Sequence, residues 1–288
     1  MRVALVQLRC TSEPTENLRR AVEFTRQAAS EGAQLVCLPE LFRTTYFCQR
    51  ESPELFDLAE PVPGPTTDAL ARVAAAAHVA VIGSVFEHRA PGVYHNTAVV
   101  LGADGTLLGV YRKLHIPHDP LYFEKYYFTP GDLGVRVFPL AGWHIAVLIC
   151  WDQWFPEAAR LATLAGAEIL FYPTAIGWHP AEKTAHGASQ YDAWQTVQRA
   201  HAIANGVYVA ACNRVGIEDQ LEFWGGSFVA DPFGRVSAQL GHEEEGLLLF
   251  TCTKEVIEET RRHWPFLRDR RIDAYGGLLK RWIDPETL

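Results

Sequence analysis

The stretch HIAVLICWDQWFPEAARLATLAGAEILFYPT, residues 144–174, decides how the chain is read. Ile145 to Ile149 are a continuous apolar run, the pattern of a strand buried on both faces. Cys150 ends that run. Pro156 and Glu157 open a helix, because proline suits the first helical position and an acid there complements the helix dipole. Ala158 to Ala165 carry the helix, Gly166 can close it in a left-handed cap, and Glu168 to Tyr172 form the next strand. A cysteine therefore ends a buried strand just ahead of a helix. Nucleophiles are often presented on such a strand–turn–helix elbow. Free cysteine is equally familiar as inert buried packing, and this stretch alone leaves both readings open.

Working outward, the same alternation recurs. Val3 to Leu8 read as a strand, Thr15 to Glu31 as a helix, and Gln34 to Leu38 as a second strand leading to Glu40. Residues 46–60 are irregular and aromatic. Thr66 to Ala77 are an alanine-rich helix and Val79 to Glu87 a strand. The Asp104–Gly105 pair marks a hairpin between Tyr94–Leu101 and Thr106–Tyr111. A long aromatic loop then runs from Lys113 to Gly134, and long loops in compact domains are usually functional. Beyond Thr174 come a loop, a helix over Ala188–Asn205, a strand over Val207–Cys212 and a turn at NRVG (residues 213–216). Strands at Gly226–Ala230 and Leu247–Thr251 and a helix over Glu255–Arg262 follow, then a basic tail. The pattern predicts one α/β domain, residues 1–288, with mixed sheets and no linker or repeat.

Composition narrows the classes. The 288 residues are 48% hydrophobic and 21% charged, an ordinary globular balance with ample material for a core. A net charge of -8 without a basic block argues against nucleic acid and anionic membranes as partners. The six cysteines (Cys10, Cys37, Cys48, Cys150, Cys212 and Cys252) form no C-x-x-C pair and sit mostly in apolar runs. That predicts a reduced, cytoplasmic protein. The opening MRVALVQL reads as a strand and not as a secretion signal. His115, His118 and Asp119 share one turn without a second ligand pair, so no metal is expected.

Glu40, Lys113 and Cys150 each end a different strand, and open α/β sheets bind ligands outside the carboxyl ends of their strands. The chemistry is coherent. A thiol needs a base before it attacks, a carboxylate can supply one, and an ammonium can hold both thiolate and oxyanion. The backbone N–H of Trp151 is a natural second oxyanion donor. Taken singly, Glu40 and Lys113 also fit surface charges.

LPELF (38–42), YRKLHIP (111–117) and LICWDQWFPE (148–157) resemble the three motifs of the nitrilase superfamily of carbon–nitrogen hydrolases. The resemblance runs along the whole chain. It implies an αββα sandwich that pairs into a four-layer homodimer or larger assembly, with no metal and no organic cofactor. The basic tail of about 263–288, on a chain that is acidic overall, reads as a solvated segment or a subunit contact. By position, Glu40 resembles the general base, Lys113 the lysine that stabilises the intermediate, Cys150 the nucleophile and Glu124 the second glutamate of the amidase branches. Segments 150–160, 172–180, 213–216, 222–234 and 264–276 look most like the branch that hydrolyses N-carbamoylputrescine to putrescine, carbon dioxide and ammonia. That implies a small cationic ureido substrate.

An ammonium on an apolar chain is well served by an aromatic slot with carboxylates. Tyr122, Tyr126, Trp151, Trp154 and Trp178 are candidate walls. Asp152 is a candidate partner, or else a cap of the helix at Pro156. An N-carbamoyl amino acid, β-ureido acid or ω-amide would use the same chemistry, although a carboxylate-bearing substrate calls for an arginine in the pocket. A non-catalytic scaffold would need none of the four reactive residues.

Overall fold

The computed structural model describes residues 1–284. In chain order the first half contains β1 (Arg2–Gln7), α1 (Pro14–Ser30), β2 (Leu35–Cys37), α2 (Pro65–Ala77), β3 (Ala80–Ala90), β4 (Val93–Leu101) and β5 (Leu107–Arg112). Then come α3 (Glu124–Tyr127), β6 (Val137–Leu140), β7 (Trp143–Val147), α4 (Pro156–Leu164), β8 (Ile169–Thr174), β9 (Gly177–Trp178) and α5 (Pro180–Asn205). β10 (Tyr208–Asn213), β11 (Val215–Glu218), β12 (Leu221–Trp224), β13 (Phe228–Ala230), β14 (Val236–Gln239), β15 (Gly246–Thr251) and α6 (Lys254–His263) follow.

Two six-stranded sheets carry the molecule, in the orders β15-β1-β2-β3-β4-β5 and β14-β13-β10-β8-β7-β6. Each is mixed: β1, β2 and β3 run parallel in one, and β7, β8 and β10 in the other, with antiparallel strands at the flanks. The reason lies in the alternation of the strands. Val3, Leu5, Cys37, Ile82 and Val100 join the core shared with the second sheet. Their neighbours Ala4, Val6, Val36, Val81 and Val99 turn the other way, against Ala21 and Ala28 of α1 and Leu70 and Ala74 of α2. Both faces are apolar because both are covered. On the far side, Ala158, Ala159 and Ala162 of α4 and Trp194 and Ala202 of α5 close the second sheet. Helix, sheet, sheet and helix are thus stacked, as the resemblance implied.

Three departures from the sequence reading stand out. α5 begins at Pro180, well before Ala188. Its first turns are exposed and polar, so no apolar stripe marks them, and Gly187 lowers helix propensity at their end. The expected turn at residues 213–216 instead launches β11, which pairs with β12; β12 also pairs with β9 in a third, three-stranded sheet. β14 is not among the expected strands, although Val236, Ser237, Ala238 and Gln239 alternate apolar and polar; at four residues the run is short. No helix among the described residues is long and apolar enough to cross a membrane. The tail beyond α6 is apolar as well as basic: Ile272, Leu279 and Trp282 are 73%, 95% and 77% exposed. Residues 285–288, the end of the proposed contact segment, lie outside the described residues.

Candidate active site

The elbow comes first, because its backbone is unusual. Cys150 has φ +43, a left-handed conformation that costs a residue with a Cβ on the order of 1–3 kcal/mol. It is followed by a short 3-10 turn over Cys150–Trp154. Asp152 holds this turn shut. Its Oδ2 accepts from the Ile149 amide at 2.8 Å and from the Tyr111 hydroxyl at 2.7 Å. Its Oδ1 accepts from the His115 amide at 3.0 Å and meets His115 Nδ1 at 2.7 Å. The His115 ring stacks on Phe155, centroids 3.7 Å apart. One buried carboxylate therefore ties the cysteine elbow of the second sheet to the segment that follows Lys113 on the first.

Lys113 directly follows β5. Its amide donates to the Asn96 carbonyl at 2.9 Å, extending the ladder with β4, and its carbonyl accepts from Gly131 at 2.8 Å. Gly131 sits so close that a Cβ there would lie 2.1 Å from the Arg112 carbonyl oxygen. The Lys113 ammonium is fully buried and bridges two carboxylates, Glu40 Oε1 at 2.8 Å and Glu124 Oε2 at 2.7 Å. Burial alone would push its pKa down, but Glu124 and Glu40 hold it well above the usual lysine range. It is a fixed positive charge.

Glu40 lies just past β2 and is fully buried. Its Oε1 accepts from Asn96 Nδ2 at 2.7 Å as well as from Lys113. Its Oε2 has no hydrogen-bond partner among the described residues. Glu124 opens α3 and receives the Tyr46 hydroxyl at Oε1, 2.7 Å. Burial pushes the Glu124 carboxyl up to about 7, with Lys113 opposing and Glu40 assisting. The Cys150 thiol lies well above its usual range, chiefly through burial and then the nearby charge of Glu40, against the pull of Lys113. At rest the sulfur is a protonated thiol, so a reaction that uses it must first remove that proton. The thiol itself points to the Ala175 carbonyl at 3.8 Å, and Glu40, near enough to act on it electrostatically, keeps one carboxylate oxygen without a partner among the described residues.

Cys150 and Glu124 form the floor of a cavity of 560 Å³, and Lys113 and Glu40 lie behind Glu124, joined to it through the Lys113 ammonium. Tyr122, Trp151, Trp154 and Trp224 supply aromatic walls, and Asp119 and Glu182 two carboxylates nearer solvent. The indole N–H groups of Trp154 and Trp224 are buried without a partner among the described residues.

The structure brings Glu40, Lys113, Glu124 and Cys150 together and puts Tyr122, Trp151 and Trp154 on the wall. Three expected contacts fall elsewhere. Asp152 points away from the cavity, its oxygens spent on the elbow, and it does not cap the helix at Pro156, whose cap residue is Phe155. Tyr126 packs on Phe56 and Tyr127, at 5.8 and 4.9 Å between rings. Trp178 lies behind the wall: its ring packs tilted against Trp224, centroids 5.6 Å apart, and its Nε1 donates to the Gly187 carbonyl at 2.9 Å. Sequence reasoning missed Asn96, Tyr46, Trp224 and Glu182. Only Asn96 left a signal, as a polar HNT run inside an otherwise apolar strand.

A buried thiol, a carboxylate with a free oxygen and a fixed ammonium on a layered α/β scaffold define a class of hydrolase. Comparison with known proteins gives that class its family. The family model "Carbon-nitrogen hydrolase" matches residues 2–262. A crystal structure of a carbon–nitrogen hydrolase from Helicobacter pylori G27 superposes with a TM-score of 0.95 at 42% identity, covering 98% of this chain and 99% of the other. An N-carbamoylputrescine amidase of Solanum lycopersicum is 43% identical over 96% of this chain and 94% of its own. A citrullinase of Francisella tularensis is 37% identical over 98% of this chain and 99% of its own. The chain belongs to the carbon–nitrogen hydrolase family of the nitrilase superfamily and is a hydrolytic enzyme.

Proposed function

We propose that the enzyme hydrolyses N-carbamoylputrescine to putrescine, carbon dioxide and ammonia. The observation that carries this reading is the polarity of the cavity. Its floor holds the groups that attack a ureido carbon. Its outer part offers Asp119 and Glu182 among aromatic walls, and no lysine or arginine among the described residues lines it. A primary ammonium on a short apolar chain suits such a rim. An α-carboxylate does not, which argues against citrulline and N-carbamoyl amino acids as the preferred substrate.

In this scheme Glu40 takes the Cys150 proton and the thiolate attacks the ureido carbon. Lys113 and the Trp151 N–H hold the oxyanion, while Glu124 fixes the Lys113 ammonium and faces the substrate nitrogen. Ammonia leaves with the proton that Glu40 returns, giving an S-carbamoyl enzyme. Water, deprotonated by Glu40, adds to that carbonyl and expels the thiolate. The carbamate released then loses carbon dioxide to give putrescine.

The test is ammonia release from N-carbamoylputrescine, citrulline and N-carbamoyl-β-alanine, with Cys150→Ala as the blank. The expected order places N-carbamoylputrescine first. Preference for either carboxylate-bearing compound would defeat the polyamine reading, and activity equal to the blank on all would favour a scaffold.

A further inference from the structure

The loop that carries Glu40 is wound around a buried ion pair remote from the cavity wall. Arg214, fully buried, follows β10; Glu218, fully buried, ends β11. Nη2 of Arg214 donates to the carbonyls of Glu40 and Leu41, at 2.7 and 2.9 Å. Nη1 donates to Glu218 Oε2 at 2.7 Å and Oε1 at 3.0 Å, and to the Thr44 carbonyl at 3.3 Å. Glu218 Oε2 in turn accepts from the Tyr46 amide at 2.6 Å. The far end of that residue, its hydroxyl, donates to Glu124. So one guanidinium and one carboxylate engage residues 40, 41, 44 and 46, and the loop they shape bears Glu40 at one end and the anchor of Glu124 at the other.

We propose that Arg214 and Glu218 are positioning residues that set both carboxylates around Lys113 at once: Glu40 through its backbone, and Glu124 through Tyr46. This rests on the reading of Glu40, Lys113, Glu124 and Cys150 as the reacting set. Two features favour positioning over simple adhesion. Leu41 holds a left-handed φ of +48, a conformation that persists only when its surroundings dictate it, and here the Arg214 fork grips its carbonyl while Ser84 Oγ receives its amide at 3.0 Å. A buried ion pair is also weak as a source of net stability but strong as a constraint on geometry. The requirement is for a planar fork, since several acceptors lie around the guanidinium in fixed directions, which a lysine ammonium cannot match.

Arg214→Lys, Glu218→Gln and Tyr46→Phe, each checked for folding by circular dichroism and melting, test the proposal through three readouts: kcat against KM, the pH profile, and the rate at which iodoacetamide alkylates Cys150. Misplacing a reacting group by 1 Å can cost on the order of a hundredfold. Arg214→Lys should lower kcat by about tenfold or more with KM within about threefold, and slow alkylation in parallel. Tyr46→Phe, which leaves the ion pair intact, should displace the acid limb of the pH profile. A purely structural pair would lower the melting temperature alone; unchanged kcat per folded enzyme, alkylation rate and pH profile in all three would overturn the proposal. If Arg214→Lys does not fold, the same criteria applied to Glu218→Gln and Tyr46→Phe decide. Parental activity in Cys150→Ala is a separate result that would sink the reading of the site, and this proposal with it.

Discussion

The floor and the rim of the cavity are built on opposite principles. At the floor every charged atom but Glu40 Oε2 has a partner within about 3 Å, and Lys113, Glu40 and Glu124 are removed from water. At the rim Asp119 and Glu182 are exposed, on a turn and on the first turns of α5. A buried charge network in low dielectric is stiff, and its members respond strongly to one another. Exposed carboxylates are screened and contribute modestly. Chemistry is therefore expected to depend steeply on single floor residues, and substrate choice on several weak rim contacts.

The sharpest break of that contrast is at Cys150. Cys150→Ala should lower kcat by about 10⁴-fold or more, as loss of a nucleophile does elsewhere, without unfolding the protein; steady-state ammonia release reads it. Lys113→Met comes next. It strips an oxyanion donor, costing about 10²–10³ in kcat, and leaves two carboxylates facing each other in the interior. Removing one partner of a buried pair costs about 3–5 kcal/mol, so urea unfolding should register a loss of that order. A rim residue giving either result would erase the distinction between floor and rim.

The third effect is a pH dependence. Glu124 is pushed up to about 7, so falling pH protonates it and deprives Lys113 of one of its two carboxylates. kcat/KM should fall as pH drops through about 7, and Glu124→Gln should remove that limb. The stability sign runs the other way. A carboxyl raised on folding favours the native state below its unfolded value and loses that contribution as pH rises through the folded one, so the parent should gain stability on acidification from 8 towards about 5 by an amount that Glu124→Gln abolishes. The smallest effect belongs to the rim. Asp119→Asn and Glu182→Gln should each raise KM for N-carbamoylputrescine by about fivefold or less with kcat held, and added salt should reproduce part of that rise in the parent enzyme.

Legibility in the sequence followed the range of the interactions. The elbow at Cys150 was readable because apolar run, cysteine, proline and acid are neighbours in the chain. Glu40 and Lys113 were readable as strand ends, and as members of the set through the family motifs. Asn96, 56 residues from Glu40, shows only as part of a polar run that does not name its partner, and Tyr46, 78 from Glu124, carries no local mark at all. Asp152 misled for the same reason. Beside the candidate nucleophile and ahead of Pro156 it fits a substrate contact or a helix cap, yet its partners Tyr111 and His115 lie 41 and 37 residues away and turn it into a strut. Tyr126, in the long aromatic loop, and Trp178 fit a wall by residue type and loop position, and packing against Phe56 and Trp224 takes them elsewhere.

The sequence by itself determined the alternation of strands and helices, the elbow, and the three motifs that define the family, since each depends on residues within a few positions of one another. The tertiary structure decided which oxygen of Glu40 lacks a partner among the described residues, which side chains reach the cavity, and that one buried arginine donates to the backbone of the loop that carries Glu40. Those follow from hydrogen bonds across tens to hundreds of residues, fixed only when two sheets close over a common core and each buried polar group must find its partner there.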